Sequence, residues 1–349
     1  MKILITGNMG YVGPVVVRHL RSRWPDSELI GFDNAYFARC LTTRRALPEL
    51  DLTAQLFGDT RELPAAILKG VDAIVHLAAV SNDPMGNSFE QPTDQINYLA
   101  SRRLAEMARQ AGVGHFVFAS SCSVYGFAAD RPMSESDELN PLTAYARSKI
   151  ATERALAHTE LGDMVVTCLR FATVCGVSDR IRLDLVLNDF VASAIASGEI
   201  NVLSDGTPWR PLINVSDMAR AIEWAVERTA ESGGQYLALN VGSNVWNYQV
   251  VQLAEAVARE ISGTRVSINP NAQPDRRSYQ VDFSRFASLA PSHQPIATLP
   301  QTVRGLRDRL VEIGFADRAF RNSDLIRLKT LESYMKTGQL THELRWTEM

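Results

Sequence analysis

Tyr145 and Lys149 stand four residues apart in the run YARSK, a spacing that puts both side chains on one face of a helix. A phenol titrates near about pH 10 and is a poor base at neutrality, but a neighbouring ammonium favours its anion. Such a pair can take a proton from a hydroxyl group or return one to it. Upstream, Ser120-Ser121-Cys122-Ser123 closes the apolar run GHFVFAS. Hydroxyls at the end of such a strand can hold the oxygen that gains or loses the proton.

A second constellation lies at the start of the chain. Gly7-Asn8-Met9-Gly10-Tyr11-Val12-Gly13 follows the apolar run ILIT and opens a helical pattern. Gly7 permits a tight turn, Gly10 leaves room for a pyrophosphate, and Gly13 lets helix and sheet approach closely. The free N–H groups of the helix then face the phosphates. Asp33 ends the next apolar run, twenty residues beyond Gly13. Its carboxylate is placed to accept bonds from ribose hydroxyls and to repel a 2′-phosphate, which favours NAD over NADP. Asp59, in Phe57-Gly58-Asp59-Thr60, is a candidate partner for the adenine amino group.

The elements that must position these groups follow from the patterning. Strands are expected at Lys2 to Thr6, Glu28 to Phe32, Val71 to Ala79, Gly114 to Ser120, Met164 to Phe171 and Tyr236 to Val241. Helices are expected at Val15 to Arg23, Thr93 to Ala111, Ala144 to Leu161, Asp184 to Ala196, Ser216 to Thr229, from Asn247 onward, and near Pro300 to Glu312. Alternating strands and helices imply a parallel sheet covered on both faces, and the strand ends put the serines where doubly wound folds bind ligands. The pattern loosens after Gly176. The expected organisation is an α/β Rossmann domain, residues 1–176 plus about 210–245, with a smaller lobe from about 177–209 plus 246–349. The polar stretch Ser81-Asn82-Asp83-Pro84 follows the third strand and is read as a loop over the reacting end of the cofactor. The last thirty or so residues are charged and are expected to wrap the surface.

The 349 residues suffice for one large α/β unit with a smaller lobe. A net charge of −3 gives no global attraction to nucleic acid or an anionic membrane. No apolar run approaches the roughly 20 residues needed to span a bilayer. The four cysteines, Cys40, Cys122, Cys168 and Cys175, form no CxxC pair or zinc-type spacing, so no metal is expected. With no secretory pattern at MKILITG, a cytoplasmic location is the expectation.

These residues resemble the extended short-chain dehydrogenase/reductase superfamily, in its nucleotide-sugar epimerase/dehydratase branch. The resemblance is carried by TGNMGYVG, by FDN at 32–34, by HLAA at 76–79, by SSCSVYG and YARSK, and by Leu169-Arg170-Phe171. RPLINVSD at 210–217 and Asn240-Val241-Gly242 complete it. It implies Tyr145 as catalytic base, Lys149 as its partner and Ser121 as the assisting hydroxyl. It implies NAD held by Gly7, Met9, Gly10, Tyr11, Val12, Gly13, Asp33, Asn34, Asp59 and Thr60. Leu77, Ala78, Ala79, Ser120, Phe171, Tyr145 and Lys149 would complete the cofactor site. A nucleoside-diphosphate sugar would meet Ser81, Asn82, Ser123, Thr173, Arg210 and Arg276 or Arg277, arginine being suited to phosphate by its planar fork. Thr173 replaces the asparagine many epimerases carry there. His76 is read as a core histidine, and Asn97 either as a structural residue or as the family's asparagine near the active-site helix.

The resemblance also narrows the reaction. Sugar 4,6-dehydratases of the superfamily carry Asp-Glu after the active hydroxyl residue, where this chain has Cys122 and Ser123. Cys122 lies one residue before the position that holds a proton-donating cysteine in some reductases and multi-step epimerases, and is read as a small apolar filler. The expected activity is an NAD-dependent nucleotide-sugar epimerase, in polysaccharide or surface-glycan precursor synthesis. The alternatives are an NAD(P)H-dependent keto-sugar reductase, a dehydratase, and a non-catalytic NAD-binding sensor. A homodimer is expected through the helices at about 93–111 and 144–161, with Ile150, Ala151, Leu156 and Ala157 at the contact.

Overall fold

Successive side chains of strand β1 (Lys2–Thr6) feed two different cores: Ile3 and Ile5 pack in one, Leu4 in the other. The same alternation recurs in β4 (Ala73–His76), where Val75 and Ile74 face opposite ways, and in β5 (His115–Ser121), where Val117 opposes Phe116 and Phe118. A strand with both faces buried needs apolar residues throughout, which a covered parallel sheet supplies. The computed structural model describes residues 1–43, 46–127, 131–269, 272 and 278–347.

The remaining strands are β2 (Glu28–Asp33), β3 (Ala54–Phe57), β6 (Val165–Phe171), β7 (Thr173–Cys175), β8 (Glu199–Val202), β9 (Trp209–Asn214), β10 (Tyr236–Val241), β11 (Asn247–Gln249) and β12 (Arg265–Ile268). Together with β1, β4 and β5, four of them form one seven-stranded sheet in the order β10-β6-β5-β4-β1-β2-β3, and every pairing in it is parallel. The chain order reverses between β1 and β4, and the crevice at their carboxyl ends is where such folds bind ligands. This is a Rossmann-like α/β fold. β3, the short strands after Phe171 and β11 and β12 lie outside the expected set.

The long helices are α1 (Gly13–Arg23), α2 (Ala100–Gln110), α3 (Ala144–His158), α4 (Val186–Ser197), α5 (Val215–Glu227), α6 (Val250–Glu260), α7 (Leu299–Glu312) and α8 (Arg327–Lys336). Val16, Val17 and Leu20 of α1 pack with Ala219 and Ile222 of α5 on one sheet face. Leu104, Ala105 and Ala108 of α2 and Leu156 of α3 pack on the other. Burying each of these valines, leucines and isoleucines contributes about 1.5–3 kcal/mol. Ile150 and Leu156 are thus core residues, leaving Ala151 half-buried and Ala157 exposed on the outer side of α3. A separate core gathers Leu187 and Val191 of α4, Leu253 and Val257 of α6, and Val303 and Leu306 of α7. Two small sheets accompany it, β11-β9-β7 and β12-β8.

The C-terminal segment departs from the expected surface wrap. Leu331, Leu340 and Leu344 are buried in a cluster with Tyr36, Val80, Met85 and Ile96. Cys40 lies beneath it, its Sγ 3.2 Å from the Asp324 carbonyl oxygen and 3.6 Å from Thr330 Oγ1. Among the described residues no helix is long and apolar enough to cross a membrane.

Candidate active site

One cavity of about 620 Å³ opens along the carboxyl ends of the sheet strands. The turn after β1, the segment after β4, the end of β5 and the end of β6 all reach it. Gly7 adopts φ +76°, and a Cβ there would sit 2.5 Å from Ala78 N, so the turn can pack on the post-β4 segment only as glycine. At Gly13 a Cβ would lie 2.1 Å from Asn8 O, which explains how α1 closes on its own turn. At Gly10 a Cβ would meet only Gly7 O, at 3.2 Å, and this residue lines the cavity. The turn is thus a cradle that side chains would fill, as a diphosphate site requires.

Asp33 ties this turn to the loop after β2. Its carboxylate accepts from Met9 N at 2.9 Å and from Ala35 N at 2.7 Å. Burial pushes its carboxyl up, while those two N–H groups and the charge of Arg180 hold it down. Asp33 lines the cavity with Asn34, Thr60, Leu77, Ala78, Ala79, Ser120 and Phe171, and with Gly7, Gly10, Tyr11 and Val12 of the turn. Three expected cofactor residues stand back from it. Met9 is buried and spends its N–H on Asp33. Gly13 lies behind the turn, against Asn8. Asp59 is not free for adenine: Arg61 grips its carboxylate, with Nη2 2.5 Å from Oδ2 and Nε 3.0 Å from both oxygens.

The residues expected to transfer the proton, Tyr145, Lys149 and Ser121, lie together in the cavity. Thr143 caps α3, its Oγ1 accepting from Ala146 N at 3.2 Å and donating to Asp83 Oδ1 at 2.7 Å. That cap fixes the first turn, which carries Tyr145. SNDPMGN is not a loop: Asn82 caps a short helix, Asp83–Ser88, by accepting from Met85 N at 2.9 Å. Gly86 of that helix packs on the Tyr145 backbone, where a Cβ would lie 2.9 Å from Tyr145 N.

Burial pushes the Tyr145 phenol up to about 12; its hydrogen bond with Ser121 works against this, as does the charge of Arg182. Lys149 is buried, with Nζ 2.6 Å from the Ala119 carbonyl oxygen, 4.6 Å from the Phe118 ring centroid and 5.6 Å from that of Tyr145. Burial draws it down to about 7, against the pull of Glu153. Desolvation thus outweighs the groups that favour the phenolate, and the net lowering expected of this phenol does not appear.

Beneath these residues runs a buried polar network. Ser120 Oγ donates to Glu153 Oε1 at 2.5 Å, and Arg170 binds Glu153 through Nη2 at 2.7 Å and Nε at 3.1 Å. Arg170 also reaches Tyr125 Oη at 3.1 Å, which donates to Asn240 Oδ1 at 2.7 Å. His76 is a core histidine, bridging Thr6 Oγ1 at 2.6 Å and Ser101 Oγ at 2.7 Å and held neutral by burial. Asn97 joins the Val80 backbone to Ser148 of α3. Cys122 is buried away from the cavity against the Arg170 carbonyl oxygen, and burial pushes its thiol up, which leaves it a filler.

Ser81, Asn82, Ser123, Thr173 and Arg210 all line the cavity. Ser123 Oγ is buried there without a partner among the described residues. Ser81 and Asn82 are engaged: Arg182 donates to Ser81 Oγ at 3.1 Å, and Asn82 donates to Asp184 Oδ2 at 2.7 Å. Arg182 and Asp184, paired at 2.9 Å, line the same cavity, as do Tyr279 and Arg327, and sequence reasoning missed all four. The alternation in Arg180-Ile181-Arg182-Leu183-Asp184 was the one available signal for the pair. Arg276 and Arg277 lie outside the described residues.

The chain resembles known proteins along most of its length. It is 29% identical over 281 residues to a UDP-glucose 4-epimerase of Corynebacterium glutamicum, covering 75% of this chain and 81% of that protein. A UDP-glucose 4-epimerase of Erwinia amylovora is 27% identical over 310 residues, covering 81% and 90%. Among solved structures, MoeE5 in complex with UDP-glucuronic acid and NAD superposes with a TM-score of 0.75 at 28% identity, covering 89% of this chain and 99% of that one. A UDP-glucuronic acid 4-epimerase from Bacillus cereus, 20% identical over 90% of this chain and 100% of its own, shares the fold with a TM-score of 0.74. Residues 3–242 match the NAD dependent epimerase/dehydratase family. The chain belongs to that family, and its cofactor is NAD.

Proposed function

We propose that this protein is an NAD-dependent nucleotide-sugar 4-epimerase. One juxtaposition carries this: Tyr145, bonded to Ser121, faces the same cavity as the glycine turn, Asp33 and Arg210. The dinucleotide is taken to sit on the turn from Gly7 to Val12, with its adenosine ribose at Asp33 and its nicotinamide end toward Lys149. NAD, when bound, supplies a hydride acceptor at the sugar carbon and returns the same hydride to the other face. Tyr145, as the phenolate that the positive nicotinamide ring of bound NAD⁺ would favour, takes the proton of the sugar hydroxyl as that carbon is oxidised and returns it after the keto-sugar has turned. Ser121 holds the oxygen during both transfers, and Lys149 holds the ribose of the nicotinamide half. Arg210 meets the diphosphate, and Ser123 and Thr173 meet the sugar. The uridine nucleotides bound or used by the relatives make UDP-hexoses the first substrates to try.

A 4-epimerase leaves its cofactor unchanged, whereas a reductase consumes one NADH per product. Purified protein incubated with UDP-glucose or UDP-glucuronic acid, without added cofactor, should form the C4 epimer over many turnovers. A strict need for stoichiometric NADH would replace this reading with the reductase. We further propose a homodimer through α2 and α3, with Ala151 and Ala157 at the contact; a monomer by light scattering at micromolar concentration would refute it. A role in surface-glycan precursor synthesis fits the same chemistry, and accumulation of a precursor sugar nucleotide in a deletion strain tests it.

A further inference from the structure

Arg327, the first residue of α8, is the largest fully buried side chain among the described residues, at 1% exposure. Its Nη2 donates to the Arg180 carbonyl oxygen at 2.7 Å, and its guanidinium lies 4.8 Å from the Phe37 ring centroid. Its Nη1 is buried with no hydrogen-bond partner, and Arg327 has no ion pair, among the described residues. Its neighbours are otherwise engaged: Arg180 pairs with Glu49 at 2.7 Å and Arg182 with Asp184 at 2.9 Å. A buried guanidinium lacking a carboxylate is unfavourable, and an anionic ligand would offset that. Arg327 lines the cavity together with Gly10, Tyr11, Val12, Asp33 and Phe37.

The segment that brings Arg327 there is fastened to the same region. Arg61, gripping Asp59, donates to the carbonyl oxygens of Glu343 and Leu344, each at 2.7 Å. Tyr36 donates to the Leu344 carbonyl oxygen as well, and Trp346 Nε1 donates to Asn34 O at 2.7 Å. Leu331 and Leu344, 1% and 0% exposed, line the cavity beside Asn34, Tyr36 and Thr60. The segment therefore spans from the glycine turn to the loop after β2, the two places a dinucleotide must touch.

We propose that the C-terminal segment from Arg327 to Leu344 completes the NAD site, with Arg327 binding the cofactor diphosphate and Leu331 and Leu344 covering the adenosine. The ligand chemistry is an organic diphosphate. The contacts to Phe37 and Arg180, on the Asp33 side of the cavity, assign it to the dinucleotide and not to the sugar nucleotide. This rests on the seating of NAD described under the proposed function, but not on the choice of reaction.

Titration of full-length wild type and R327M, stripped of bound nucleotide, with NAD, ADP-ribose and UDP tests it. R327M should bind NAD and ADP-ribose about ten- to hundredfold more weakly, the loss of a charge-assisted contact, and UDP equally well. R327K should recover part of the loss. Stripped R327M should melt no lower than stripped wild type, because it no longer buries an unpaired charge, while its gain in melting temperature on adding NAD should shrink. Unchanged NAD affinity, a loss confined to UDP, or a stripped variant that is unfolded or melts far lower would each overturn the proposal. Wild type that binds no NAD would instead refute the seating itself, and this inference with it.

Discussion

Lys149 presents its Nζ to the carbonyl oxygen of Ala119 at 2.6 Å, inside the sheet edge and not in solvent. The ammonium is held by a dipole and by the more distant charge of Glu153, which is too little to repay its desolvation, so it titrates near about 7 in place of the ordinary lysine value of 10.5. Between those two values the unfolded chain binds a proton that the folded cofactor-free protein does not. Its stability should therefore rise with pH through that window, by up to about 1.4 kcal/mol per pH unit from this group. The K149M variant should lack this part of the slope in denaturant unfolding measured at pH 7, 8 and 9. Identical slopes for the two proteins would show that Lys149 stays charged when folded.

Replacing Tyr145 by phenylalanine removes one oxygen from the cavity wall and leaves the backbone packing of Gly86 on residue 145 intact. Turnover should fall by about 10²- to 10⁴-fold, the usual worth of a positioned proton-transfer group. The NAD content of the purified protein, read by releasing and quantifying the nucleotide, should not change. Retention of full activity would remove Tyr145 from the chemistry.

Glu153 and Arg170 are both buried, 3% and 6% exposed, and each is the other's charge partner. E153Q leaves a guanidinium without its counter-charge and should cost about 3–5 kcal/mol in urea unfolding. The double variant E153M/R170M should recover part of that loss, although Ser120 and Tyr125 each then lose a partner. A loss below about 1 kcal/mol for E153Q would mean that water or another group reaches Arg170.

Two glycines of the same turn should fail in different ways. Gly7→Ala meets both a positive φ and backbone atoms of Ala78 at 2.5 and 2.7 Å, and should lower stability by roughly 2 kcal/mol or more. Gly10→Ala has only Gly7 O near its Cβ, at a tight 3.2 Å, and should lower stability by about 1 kcal/mol or less, well short of the loss at Gly7. Its methyl would project into the cavity, so NAD should bind at least about tenfold more weakly. Thermal melting of both variants with and without NAD separates the two effects.

The sheet was legible wherever both faces of a strand are buried, as in β1, β5 and β6, because such strands read as unbroken apolar runs. β3, the sequence AQLF at the sheet edge, is only half-buried and leaves no such run. The glycine turn, Asp33, Ser121, Tyr145 and Lys149 were legible because each owes its place to residues close by in the chain. The helix at Asp83–Ser88 was missed although Asn82 is a good cap and Pro84 sits in its first turn, both start signals. Tyr279 and Arg327 could not be read, since a charged or aromatic residue is drawn into the cavity only by segments that meet in the fold. The tail was misjudged for the same reason: a few buried leucines scattered among charges leave no period.

Cys40 owes its burial in part to Asp324 and Thr330, residues of the segment that also carries Arg327. A thiol in that position is sheltered only while the segment stays docked, so its alkylation by a small maleimide amounts to a clock for local undocking. The free energy of that motion becomes measurable in the unmodified protein, and its change on adding nucleotide would report how firmly the bound ligand keeps the chain shut.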